Sequence, residues 1–140
     1  MKICVIGAGA AGLVTAKELR AVGIEVEVLE KRDNMGGLWY LDEKGSSVSE
    51  KTYATSSKTF LQFSDFPFDK DEDSFPHHSH YIKYLKRYTA AHDLDRFIHY
   101  NCEVLETIKE GDTWRVKANH NGQPYEKVFD GLAICSGLHH

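Results

Sequence analysis

Residues 2–6, KICVI, form an almost unbroken β-favouring run, the pattern of a strand covered on both faces in a parallel sheet. The period then changes. Apolar positions recur at Leu13, Ala16, Leu19 and Ala21 or Val22, with Lys17, Glu18 and Arg20 between them. This predicts an amphipathic helix over 13–22, stopped by Gly23 as its C-terminal cap. Residues 24–30, IEVEVLE, alternate with period two and predict a second strand, completing a βαβ unit.

Farther along, Ser79 is positioned as the N-cap of a helix running to about His92, with Ile82, Leu85 and Tyr88 or Thr89 on one face and Lys83, Lys86 and Arg87 on a solvated one. Residues 97–100 predict a short buried strand. Three alternating segments, 103–109, 113–119 and 123–129, are separated by Glu110-Gly111-Asp112 and His120-Asn121-Gly122, the signature of an antiparallel meander. Residues 132–135 then return as a final parallel strand. The fold class expected is α/β: a Rossmann-like domain with a parallel sheet, in which a three-stranded antiparallel β-meander replaces the crossover helix.

Length and composition narrow the range of functions. The 140 residues suffice for one domain. A formal charge of −4 gives no electrostatic footprint for nucleic acid. Cys4, Cys102 and Cys135 are widely spaced, with no CxxC pair, and read as reduced thiols of a cytoplasmic-type environment. The longest apolar stretch, 3–16, is interrupted by glycines and falls short of the ~20 residues that span a bilayer, so no membrane anchor is expected in this segment.

The candidate chemistry lies where the first strand meets the first helix. Gly7-Ala8-Gly9-Ala10-Ala11-Gly12 is a GxGxxG turn in its required context. Gly7 permits the tight turn, Gly9 keeps side-chain atoms away from a pyrophosphate, and Gly12 lets helix and sheet approach; the phosphates would sit on the N–H groups of the helix start. Glu30, with Lys31 beside it, ends the second strand, where its carboxylate can accept hydrogen bonds from an adenosine ribose and repel a ribose phosphate. The site therefore favours FAD or NAD over NADP. Next, Gly36-Gly37 allow a loop to approach a planar ligand, and Leu38-Trp39 follow, the tryptophan offering an aromatic face.

Taken in order, GAGAAGL, GGLW, YATSSK over 53–58, FSDFPF over 63–68, Phe75-Pro76, Tyr84-Leu85, Tyr88 and the CSG of 135–137 resemble the flavin-containing monooxygenases along essentially the whole chain. The resemblance implies an FAD- and NADPH-dependent enzyme of the N,N-dimethylaniline monooxygenase type. Such an enzyme uses a flavin peroxide adduct to insert one oxygen atom of dioxygen into a small-molecule nucleophile, an amine nitrogen or a sulfur.

By the same resemblance Gly7, Ala8, Gly9, Ala10, Ala11 and Gly12 hold the pyrophosphate and Glu30 and Lys31 the ribose. Gly37, Leu38 and Trp39 line the flavin, Val104 meets the adenine through its backbone, and Ser136 and Gly137 approach the cofactor from the last strand. Ala54 and Thr55 stand where the family has residues beside the flavin ring. Thr55 replaces a common asparagine and offers one hydroxyl instead of an amide. The resemblance further implies that residues 1–140 are a partial FAD-binding domain, without the NADPH-binding domain or the C-terminal completion of the FAD site. Such a segment is expected to be inactive alone, and membrane association of a longer parent stays open. The alternative is a non-catalytic dinucleotide-binding module.

Two further features have local readings. FSDFPF is either a hydrophobic plug over a sheet edge or part of a ligand site, and Asp65 within it either bonds locally or meets a ligand. His77, His78 and His80 lack a fourth ligand at metal spacing, so no metal site is assigned. Residues 138–140 read as continuing chain and not as a purification tag.

Overall fold

The computed structural model describes residues 1–42 and 48–137; the tail at 138–140 lies outside them. In chain order its elements are β1 (Lys2–Ile6), α1 (Ala10–Ala21), β2 (Glu25–Leu29), a 3₁₀ turn (Gly37–Trp39), α2 (Lys58–Leu61), α3 (His78–Ala91), a second 3₁₀ turn (Asp95–Phe97), β3 (Ile98–His99), β4 (Cys102–Glu110), β5 (Thr113–His120), β6 (Gln123–Phe129) and β7 (Gly131–Ile134). One sheet has the order β3-β2-β1-β7, with every pair parallel, and β4-β5-β6 form a separate antiparallel sheet. This is the expected α/β architecture, meander included.

The central position of β1 explains its unbroken apolar run, and Cys4 and Val5 are fully buried. Period-two alternation assigns the two faces. Val5, Val26 and Val28 belong to a core shared with Leu13 and Ala16 of α1 and with Tyr81, Tyr84, Leu85 and Tyr88 of α3. Cys4 and Leu29 pack instead with Cys102, Val116, Ala118 and Phe129 of the meander. The parallel sheet thus lies between a helical layer and an antiparallel one. Among the described residues no helix is long and apolar enough to cross a membrane.

A charge cluster joins these layers. Glu27 of β2 meets Lys127 of β6 at 2.8 Å, Lys2 of β1 at 3.4 Å and His99 of β3 at 3.1 Å. Burial pushes the Glu27 carboxyl upward, but the Lys127 hydrogen bond and the charges of Lys127, Lys2 and His99 outweigh it and hold the group below its ordinary range.

Helix boundaries differ from the periodicity in instructive ways. α1 begins at Ala10 and not Leu13, because the alanine- and glycine-rich first turn carries no apolar signal. At its other end Gly23, at φ +84°, donates to Arg20 O and Ile24 donates to Leu19 O, a Schellman closure. The expected N-cap at Ser79 is corrected: the cap of α3 is His77, whose side chain accepts the Ser79 N–H at 3.3 Å, so Ser79 lies in the first turn. The expected strand at 97–100 shrinks to Ile98–His99, since Phe97 ends a 3₁₀ turn.

FSDFPF packs on α3 and not over a sheet edge. Phe68 stacks on Tyr84 at 4.2 Å, and Phe63 and Phe66 lie against Tyr88 at 4.5 and 5.3 Å. The Tyr84 hydroxyl donates to Phe66 O, and it accepts the Phe63 N–H at 2.8 Å. Asp65 does not line the groove at the strand ends: besides a local bond to its own backbone it pairs with Lys17 of α1, pinning this loop to the first helix.

Candidate functional site

The C-terminal ends of the parallel strands open onto a groove of about 900 Å³, within the size range of ligand pockets. Its position at the strand ends follows from the topology, since β1 lies between β2 and β7 and the chain turns from it directly into α1. Gly7 donates to Leu29 O at 2.9 Å and Cys135 donates to Ile6 O at 2.8 Å, so the turn is held by both neighbouring strands.

Two glycines make this turn possible. Gly7 has φ +106°, and a Cβ there would run into Cys135 O; a Cβ on Gly12 would run into Gly7 O. The helix start is thereby pressed against the strand end. The first bond of α1 is Leu13 N–H to Gly9 O at 3.0 Å, which leaves the N–H groups of Ala10, Ala11 and Gly12 without intrahelical acceptors. Ala10 and Ala11 line the groove, and this end of α1 carries no acidic residue to compete for an anion.

Glu30 is 5% exposed and forms the groove wall beyond β2. Its Oε1 accepts the Ala8 N–H at 2.8 Å and its Oε2 the Arg32 N–H at 2.9 Å. Each carboxylate oxygen has a second acceptor site, so the group can hold its own turn and still receive a hydroxyl. Its backbone joins two more elements: Glu30 donates to His99 O and accepts from Cys102 N–H, both at 2.9 Å. Cys102, Glu103 and Val104 therefore continue the wall beside it. Burial, with the Glu27 charge, pushes the Cys102 thiol up to about 11, which keeps it protonated at neutral pH.

The groove is lined as well by the loop that contains Gly36, Gly37, Leu38 and Trp39. Gly36 N–H reaches Ala8 O at 2.9 Å, and a Cβ built on Gly37 would lie 3.2 Å from Gly9 Cα. Side-chain-free backbone thus packs on side-chain-free backbone where both line the groove. Trp39 stacks on Tyr81 of α3 with centroids 4.8 Å apart.

Of the residues expected from the sequence, Gly7, Gly9, Ala10, Ala11, Glu30, Lys31, Gly37, Leu38, Trp39, Val104, Ser136 and Gly137 lie together on this groove. Ala8 and Gly12 are buried beneath it. Ala54 and Thr55 are not in its lining: Ala54 is buried and donates to Pro76 O at 2.8 Å, and Thr55 is exposed in the bend before α2. Arg32, Cys102, Glu103 and Cys135 line it without having been singled out. The sequence places Cys135 inside the last strand, at 132–135, but β7 spans Gly131–Ile134, so Cys135 follows it, beside the glycine turn. Arg32 was not discoverable, because a charged loop residue reads as solvated.

The groove suits a phosphate-linked dinucleotide: it combines a cradle that any Cβ would narrow, free helix N–H groups for an anion, and a carboxylate for sugar hydroxyls. Comparison with known proteins shows which family the whole chain is similar to. The model of the family described as FMO-like, flavin-binding monooxygenase-like, matches residues 1–140. "Dimethylaniline monooxygenase [N-oxide-forming] 2" of Macaca mulatta is 32% identical over 99% of this chain and 28% of its own length. "Flavin-containing monooxygenase 5" of Rattus norvegicus is 33% identical, with the same coverage. Among solved structures, S-allyl-L-cysteine S-oxygenase from Allium sativum superposes with a TM-score of 0.89 at 30% identity, over 97% of this chain and 36% of that one. The chain thus spans under a third of the curated relatives it matches.

Proposed function

Since the chain belongs to the flavin-binding monooxygenase-like family, we propose that residues 1–140 bind the adenosine diphosphate half of FAD and present a loop to its flavin. They would do so within an NADPH-dependent enzyme that passes one oxygen atom of dioxygen to an amine nitrogen or a sulfide sulfur. The two nucleophile types follow the relatives, one named for N-oxide formation and another for S-oxygenation. Bound FAD would supply the redox chemistry.

The chain's own residues bind, orient and exclude water. The N–H groups of Ala10 and Ala11 would receive the pyrophosphate, and Gly9 and Gly37, whose backbones pack on each other, add no side-chain atoms to the groove beside it. Glu30 would accept ribose hydroxyls through the lone pairs that Ala8 and Arg32 leave open. Val104 and its neighbours would border the adenine. Leu38 and Trp39 would cover the flavin side, with the Ser136–Gly137 backbone approaching from β7. Ala54 and Thr55 are assigned no step, because neither lines the groove.

The observation that carries this reading is that the Glu30 carboxylate, the open start of α1 and the glycine pair line one groove. Titrating the chain with FAD, NAD and NADP, followed by flavin and tryptophan fluorescence, tests it. FAD is expected to bind and NADP to bind more weakly than NAD, since Glu30 repels a ribose phosphate. Binding of NAD without FAD would favour a simple dinucleotide module. A longer polypeptide containing these residues is expected to oxidise NADPH with transfer of oxygen to a sulfide or tertiary amine.

A further inference from the structure

We propose that Arg32 is a positioning residue that clamps the flavin-facing loop, through its side chain alone, onto a frame that its backbone builds at the adenosine end. The inference rests on the FAD reading above. Arg32 Nη1 donates to Gly37 O at 2.7 Å and Nη2 to Tyr40 O at 2.9 Å. Its Nε lies 3.5 Å from Asp42 Oδ2, and the guanidinium sits over the Tyr40 ring at 4.7 Å.

The same residue's N–H donates to Glu30 Oε2, and its carbonyl accepts the Asn101 N–H, both at 2.9 Å. One residue therefore ties the ribose acid, the start of β4 and the glycine-pair loop together. Apart from the 3₁₀ turn the loop is irregular; the Gly36–Ala8 bond, the Trp39–Tyr81 stack, the Tyr40 hydroxyl bond to Asp33 and buried Met35 hold it as well, but Arg32 engages two of its carbonyls from a single side chain. A planar fork spreads its N–H donors over three nitrogens and so reaches two separated carbonyls and a carboxylate in fixed directions, whereas an ammonium gathers its three donors on one atom.

This division of labour is separable, because a substitution removes the side-chain contacts and leaves the backbone ones. In a Trp114→Phe background, Trp39 is the remaining tryptophan, and its quenching by acrylamide without cofactor reports how firmly the loop is held. Arg32→Met is expected to raise that quenching. It should also weaken FAD binding about tenfold, the scale of losing one charge-assisted hydrogen bond, while ADP affinity stays unchanged. Arg32→Lys, which keeps charge and stem, should restore little of either and carries the same readouts should the methionine variant not fold.

Unchanged Trp39 quenching, or equal losses for FAD and ADP, would overturn the clamp. Should the parent protein bind neither ligand, the cofactor reading fails while the quenching measurement still decides the role of Arg32.

Discussion

The Glu30 carboxylate accepts the Ala8 N–H at 2.8 Å, so the acid at the tip of β2 holds the glycine turn 22 residues before it. A residue expected to serve a ligand thus also stabilises the cradle. Glu30→Ala leaves the buried Ala8 N–H unpaired and is expected to cost about 1–3 kcal/mol of stability, read as a lower urea midpoint, together with weaker FAD binding. Glu30→Gln, which keeps one acceptor oxygen, should lose less stability. Equal midpoints for all three proteins would show that the bond does not hold the turn.

The closeness of α1 to β1 makes Gly12 intolerant of any side chain, because a Cβ there meets the Gly7 carbonyl and backbone cannot step aside. Gly12→Ala is expected to destabilise by about 1–3 kcal/mol or more. Gly23→Ala, where a Cβ meets open space but φ is +84°, should cost only about 1–2 kcal/mol from its left-handed backbone. Thermal or urea unfolding of both variants checks the order; a benign Gly12→Ala would mean that helix and strand end are farther apart.

Much of this arrangement is legible in the sequence, and the gaps have physical causes. KICVI and IEVEVLE betray their strands because one is buried on both faces and the other alternates. The glycine spacing carries information because each Cβ it omits would meet a particular backbone atom. Ser79 misleads as a cap because histidine acceptors rarely take that role and serine commonly does. The partner of FSDFPF is invisible locally, since nothing in those six residues marks the tyrosines of α3 as the surface they pack on. Arg32 is hidden for a related reason: its targets are backbone carbonyls, which no sequence pattern marks.

The aromatic layer on α3 should be a major source of stability. Phe68 is buried and stacked on Tyr84, so Phe68→Ala is expected to cost about 3–5 kcal/mol. Phe60, on α2, is 86% exposed, and Phe60→Ala should stay within about 0.5 kcal/mol of the parent. Chemical denaturation distinguishes them, and similar losses at both positions would contradict the packing described.

The Glu27 cluster predicts a pH dependence of known sign. Its folded carboxyl lies below the ordinary value of 4.5, despite the upward push of burial, because Lys127, Lys2 and His99 favour the anion. A depressed acid contributes stability that is present above its unfolded value and is lost as pH falls through the folded one. The stability difference between parent and Glu27→Gln should therefore be full at neutral pH and shrink as the medium is acidified below 4.5. A pH-independent difference between their urea midpoints would dissociate the effect from titration of Glu27.

The central claim is that one groove receives an adenine dinucleotide, with its phosphates on the start of α1 and its sugar at Glu30. Amide chemical-shift mapping of the 140-residue chain during titration with FAD tests it most directly. The account expects the largest shifts at Gly9, Ala10, Ala11, Lys31, Gly37 and Val104, with little change on the solvated face of α3. Shifts concentrated on α3 or the outer strands of the meander, with the glycine turn unmoved, would contradict it.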